Sequence, residues 1–262
     1  LIPHDDAIWT DSKKEMIRKE TEAFFDYIAK NNKGLNEILT APYAFVSDAS
    51  AKYYGVTSPG AIPKKTDLDP KQRRGIFSQI GFLAYYADDG VKTIRRGASI
   101  SKSLVCSAAL NGERMDPTPV KAESKITNRQ AVSKATDGCG LSCHKPLMNP
   151  IGFAFEKFGT NGETREMDNG FAIDAADVLY LSEKRSIEYD GAPEFAEKLA
   201  GMLESHRCYA SKVVQYVFGR NPSVSETGLI DELAFASLEG ASTKDLFKKA
   251  VLSPSYKLRA GK

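Results

Sequence analysis

Two thiols and an imidazole fall within six consecutive residues, Cys139 to His144, in a chain of 262 residues that has only 4 cysteines and 3 histidines. The stretch reads Asp137-Gly138-Cys139-Gly140-Leu141-Ser142-Cys143-His144. Paired thiols can form thioether bonds to the two vinyl groups of a haem, and a histidine directly after the second thiol places an imidazole on the iron. The spacing Cys-x-x-x-Cys-His holds one residue more between the thiols than the commonest form, but positions i and i+4 still share a helix face. The expectation is one covalent haem c, attached through Cys139 and Cys143 and ligated by His144. With a single Cys-His pair, a multihaem wire is excluded. Three other chemistries stay open. Structural zinc needs a fourth ligand from Cys106, Cys208 or a distant histidine. Plain disulfides in an exported protein leave the adjacent histidine unexplained. A thiol redox site favours two intervening residues and a strand-to-helix setting.

A haem iron with two axial ligands needs a partner for His144. Met202 lies 58 positions after His144 and 14 before Tyr216, where a ligand loop ahead of a terminal helix is expected, so it is the candidate sixth ligand. Met148 is too close to His144 to reach the opposite side, whereas Met115, Met167 and His206 remain alternatives. If the haem takes Cys139 and Cys143, then Cys106 and Cys208 are left as a pair that an oxidising compartment would join. That bond would close a loop of about 100 residues, worth on the order of 4 to 5 kcal/mol through the entropy of the unfolded chain. Phe153, Phe155 and Phe158 are candidates to wall a flat apolar ligand, or ordinary core aromatics.

The elements that must position these residues are mostly helical. Apolar periodicity predicts a helix from a cap at Asp11 or Ser12 to about Asn32, and others over Leu35–Leu39 and Ser47–Tyr54, the latter stopped by Gly55. Further helices are predicted over Gln72–Ala87 and Arg95–Leu110. Thr57–Pro70 and Met115–Pro119 read as irregular, proline-punctuated connections, and Pro146 and Pro150 frame a turn after the Cys-His pair. Alternation at Ile173-Asp174 and Ile187-Glu188-Tyr189 predicts a single hairpin. Helices over Pro193–Ser205, Arg207–Phe218, Glu226–Leu238 and Thr243–Leu252 close the chain. The expected fold class is therefore mainly α: a helical N-terminal region over residues 1–90, then a cytochrome c-like helical domain with one small β-hairpin over 91–262.

Composition narrows the partners. Lys plus Arg number 36 against 34 Asp plus Glu, a formal charge of +2, far from the basic surplus that nucleic-acid binding requires. No apolar run reaches the 18 or more residues of a transmembrane helix. The sequence opens at Leu1, and the expectation is a processed product or a fragment whose export signal has been removed.

Several motifs carry a family resemblance. Arg96-Gly97, Leu104-Val105-Cys106, Cys143-His144, the run from Asn149 to Phe158, Gly162, Arg165 and Tyr216-Val217-Phe218-Gly219-Arg220 resemble the C-terminal half of the large exported cytochrome c-like proteins of planctomycetes and myxobacteria. Those proteins are built from consecutive domains of unknown function. Glu20 to Phe25, Ala44-Phe45-Val46 and Tyr54-Gly55-Val56 resemble the domain that precedes them, so the likeness covers nearly the whole chain. The family pattern has Cys-x-x-Cys-His followed by Asp-Pro-x-Gly-Phe; here an extra residue separates the thiols and Asn149 stands in place of the aspartate. The resemblance implies a periplasmic or cell-surface monohaem cytochrome domain, within a longer polypeptide or complex, that exchanges electrons with a redox partner protein. An open sixth position would instead imply a haem oxidoreductase, a peroxidase or a small-ligand sensor, and a redox-inert haem a structural scaffold.

Overall fold

Helix α1 (Asp11–Lys30) buries Ile17, Glu20, Phe24 and Ile28 at three- and four-residue spacing, while Glu15, Arg18 and Glu22 pair along the solvent side. The computed structural model describes residues 9–86, 91–106, 125–137, 144–182 and 184–257. The protein is mainly α, with three small two-stranded antiparallel sheets among the described residues. None of its described helices is long and apolar enough to cross a membrane.

After α1 come α2 (Leu35–Thr40) and α3 (Ala51–Tyr54), the latter ended by Gly55 at φ 69°, as the sequence predicts. The loop expected over Thr57–Pro70 contains a strand: β2 (Lys64–Asp67) pairs with β1 (Tyr43–Val46) from Tyr43 opposite Asp67 to Val46 opposite Lys64. Lys-Lys-Thr-Asp gives no alternation because β2 is held by its backbone and buries nothing. The helix expected over Gln72–Ala87 is confined to α4 (Ile80–Tyr85), because Gln79 is extended and separates it from a 3-10 turn at Ile76–Ser78. Helix α5 (Thr93–Ile100) widens into a π turn at Ser101–Val105, which Cys106 ends in the left-handed region at φ 49°. Met115–Pro119 lie outside the described residues.

Helix α6 (Asn128–Ala135), opened by a Thr127–Gln130 capping box, precedes a second π turn (His144–Met148) that runs into α7 (Asn149–Phe153). Instead of one hairpin, two follow. Strands β3 (Met167–Asp168) and β4 (Phe171–Ala172) form a minimal pair, and β5 (Ala176–Ser182) pairs with β6 (Arg185–Asp190). Ile187 to Tyr189 lie in β6 as expected, but Ile173 and Asp174 fall between strands.

Four helices complete most of the chain: α8 (Gly191–Ala200), α9 (Leu203–Phe218), α10 (Thr227–Leu238) and α11 (Thr243–Leu252). A final turn, α12 (Pro254–Lys257), follows. The helix expected to run to Ser205 stops at Ala200, and Met202 occupies the joint before α9. The largest core joins Leu35, Leu39 and Leu83 to Leu104, Ile151 and Phe195, so both sides of residue 90 contribute to it. A second core lies among α9, α10 and α11, and a third between α1 and β1. Cys106 and Cys208 are joined by a disulfide across 102 positions, with Cα atoms 5.4 Å apart, tying the π turn after α5 to α9.

Candidate functional site

Helices α5 and α7 meet backbone to backbone. A methyl group on Gly97 would strike the Met148 carbonyl, and one on Gly152 would strike the Thr93 carbonyl, so each position needs glycine for close approach rather than for an unusual φ. This crossing seats the turn bearing His144 directly on α5.

Buried polar groups fix the same crossing from its far end. Arg96, fully buried, donates through Nη1 to the Phe155 and Phe158 carbonyls (3.3 and 3.1 Å) and through Nη2 to Leu83 and Gly159 (2.9 Å each). Burial draws its guanidinium down to about 10, which leaves it charged at neutral pH. One helix turn away, Glu156 is 2% exposed. It accepts from Thr93 Oγ1, from Asn128 Nδ2 at 2.9 and 3.1 Å, and from Arg165 Nη2 at 3.2 Å. Burial pushes the Glu156 carboxyl up, and those donors together with Arg165 and Arg96 oppose the shift. Arg165 also pairs with Asp168 at 2.9 Å, and Asp168 accepts from the Asn128 backbone at 2.5 Å. Arg73 is a second buried guanidinium; it reaches the carbonyls of Ser78 (2.8 Å), Tyr53 (3.0 Å) and Gly162 (2.5 Å), linking the N-terminal region to the chain after Phe158.

His144 stands at the start of the second π turn. Its ring is half-buried, and burial lowers its pKa, an effect that nearby Asn149 partly offsets. Both Nδ1 of His144 and Oδ1 of Asn149 are buried with no full hydrogen bond among the described residues. Asn149 is itself held by donating to Thr136 Oγ1 at 2.8 Å, and Lys145 pairs with Asp137 at 2.7 Å. These two ties pin the chain on either side of residues 138–143. A cleft of about 310 Å³ opens beside them, lined on one side by Thr136, Asp137, Lys145 and Asn149 and on another by Pro150 and Phe153. Tyr189 donates to the Pro150 carbonyl at 2.6 Å, bracing α7 from β6.

The candidate ligands are distributed as follows. Cys139 and Cys143 lie outside the described residues, as does Met115. Met202 is buried in the largest core, which it shares with Leu147, Ile151 and Leu199. Met148 is also buried, and Met167 is 55% exposed. Both ring nitrogens of His206 are engaged, Nδ1 with Ser237 Oγ at 2.7 Å and Nε2 with the Ala200 carbonyl at 2.9 Å, so neither is available to a metal. The Cys106–Cys208 disulfide withdraws both sulfurs from the zinc alternative. No group of three or more His, Cys, Asp or Glu side chains poised for a metal occurs among the described residues. Of the three phenylalanines, only Phe153 lines the cleft, with the Arg129 guanidinium 4.4 Å from its ring centre. Phe155 and Phe158 belong to the core.

A histidine ligand requires a neutral imidazole and a polar group facing its second nitrogen. The lowered pKa of His144 and the position of Asn149 fit an axial ligand. Periodicity and spacing assign no role to Glu156 because its partners are remote in sequence: Thr93 is 63 positions away and Asn128 is 28. The available signal was a glutamate in an otherwise apolar run, Ile151 to Phe158, where a charge is expensive unless paired.

Comparison with known families divides the chain in the same order. Residues 4–56 match the family model PSD4, described as a protein of unknown function (DUF1592). Residues 73–168 match PSCyt3, a protein of unknown function (DUF1588). No curated protein and no solved structure matches the chain. The chain thus carries in series two stretches similar to these families, the second running from Arg73 to Asp168 and taking in the cysteine pair, His144 and the Glu156 network.

Proposed function

We propose that this chain is an exported c-type haem domain that transfers electrons, working within a longer polypeptide or complex and with a separate redox partner protein. Cys139 and Cys143 would hold one haem c by thioether bonds, and His144 and Met202 are the side chains that would bind its iron. The haem supplies reversible one-electron exchange at iron. The chain orients the imidazole: the α5–α7 crossing seats the turn, and Asn149 lies beside the ring. The observation that carries this reading is the buried, unpartnered Nδ1 of His144, directly after the two thiols. The match to a family whose name contains Cyt accords with it, and the Cys106–Cys208 disulfide accords with an oxidising compartment.

A pyridine haemochrome spectrum and the intact mass of the purified chain test the proposal together. A haem-sized mass increment that survives acid denaturation is expected; a zinc-sized increment, or two thiols oxidised to each other, overturns it. The burial of Met202 among Leu199, Phe195 and other core side chains favours a second reading, an open sixth position suited to a peroxidase or small-ligand sensor. Cyanide titration separates the two: slow, weak binding marks the ligated iron, and prompt stoichiometric binding the open one.

A further inference from the structure

Away from the Cys-His segment, a cavity of about 660 Å³ lies where the three cores meet. Its wall is almost wholly apolar and comes from separate elements: Ile28 of α1, Leu39 of α2, Phe77 of the 3-10 turn, Leu104 of the first π turn and Phe247 of α11. Tyr209, beside the disulfide on α9, packs on the rim of all three cores and faces the same space. None of the described lining residues belongs to 125–158, and neither His144 nor Met202 is among them.

The polar part of the lining is small. Tyr209 Oη and Thr243 Oγ1 are hydrogen-bonded at 2.9 Å, and exposed Lys244 follows Thr243 in the chain. Asp245, the acidic neighbour, is turned back to cap Ser242 at 2.7 Å, so Lys244 is the charge presented to the cavity mouth. The volume lies within the range of small-molecule sites, roughly 300 to 1,000 Å³. The geometry points to a binding site for a small amphiphile: an aliphatic or aromatic body buried against α1, α2 and the first π turn, with one anionic head held by Lys244, Thr243 and Tyr209.

Dodecanoate below its micellar concentration, titrated into the full chain by calorimetry, is the test, with dodecanol and dodecyltrimethylammonium as comparison ligands. One saturable equivalent of dodecanoate is expected. Ala29 is an exposed lining residue on α1, so Ala29→Trp should fill the mouth and abolish binding without disturbing the helix signal in circular dichroism. Lys244→Glu should weaken dodecanoate by about fivefold, the scale of one exposed charge contact, and leave dodecanol unchanged. The assignment is overturned if dodecanoate shows no saturable binding, if the ammonium amphiphile binds as well, or if binding survives Ala29→Trp in a folded protein. None of these readouts depends on whether haem is attached.

Discussion

Each stretch that matches a family holds one buried glutamate among its described residues, Glu20 and Glu156, and the two are held by different means. Glu156 sits in an amide and hydroxyl cradle that also contains a cation, Arg165 at 3.2 Å. Glu20 sits between α1 and the turn after β1, accepting from the Ser47 backbone and Ser50 Oγ at 2.8 Å each and from Ser47 Oγ, with no cation in the set. Burial therefore raises the Glu20 carboxyl to about 7 against only hydroxyl and backbone donors. The difference teaches that the region holding His144 ties its burial-raised carboxyl to a cation, whereas the N-terminal region holds its own with hydroxyl and backbone donors alone.

The sharpest way to break the comparison is to remove each carboxylate. Glu156→Leu strands Arg165 and Asn128 and is expected to cost about 3 to 5 kcal/mol in urea unfolding, as for one partner deleted from a buried pair. A loss below about 1 kcal/mol would place the network among exposed ion pairs. Glu20 gives a pH signature instead. Its carboxyl rises from 4.5 to about 7, so between those values the folded state holds a proton that the unfolded state has released. The stabilisation is complete below pH 4.5 and is lost as pH rises through 7, a fall of about 3 kcal/mol. Glu20→Gln should flatten that slope; the Glu156 carboxyl is raised by burial as well, so Glu156→Gln should also reduce the loss of stability with rising pH, and unfolding midpoints measured at half-unit pH steps check both.

Two smaller effects sharpen the view of the His144 region as a fixed frame. Gly97→Ala pushes on the Met148 carbonyl and is expected to cost about 1 to 3 kcal/mol in urea unfolding, the usual penalty of overpacking. Tyr189→Phe removes one buried hydrogen bond to Pro150 and should cost about 1 kcal/mol by thermal unfolding.

The helices were legible in the sequence wherever one apolar face met a plain stop signal. Residues Thr243–Leu252 were predicted with the bounds that α11 has, and Gly55 and Gly219 end α3 and α9 in the left-handed conformation that glycine permits. Pairing that relies on backbone was not legible: β2 is Lys-Lys-Thr-Asp, and its partner supplies the buried side chains. The run Cys139 to His144 stands out in the sequence by residue type and spacing alone, and of it the structure describes His144. Its support was not legible, because Glu156, Asn128, Thr93 and Arg165 meet only once α5 and α7 have crossed. Asn149 was visible only as a departure from a pattern, yet it is the residue that faces the histidine.

The glycine crossing and the disulfide form one continuous line through the molecule. The turn bearing His144 rests on the backbone of α5, α5 continues without interruption to Cys106, and Cys106 is covalently bonded to α9. The first π turn also packs directly on α9, so reducing the one sulfur–sulfur bond would remove the covalent tie and leave a non-covalent seam between the two ends.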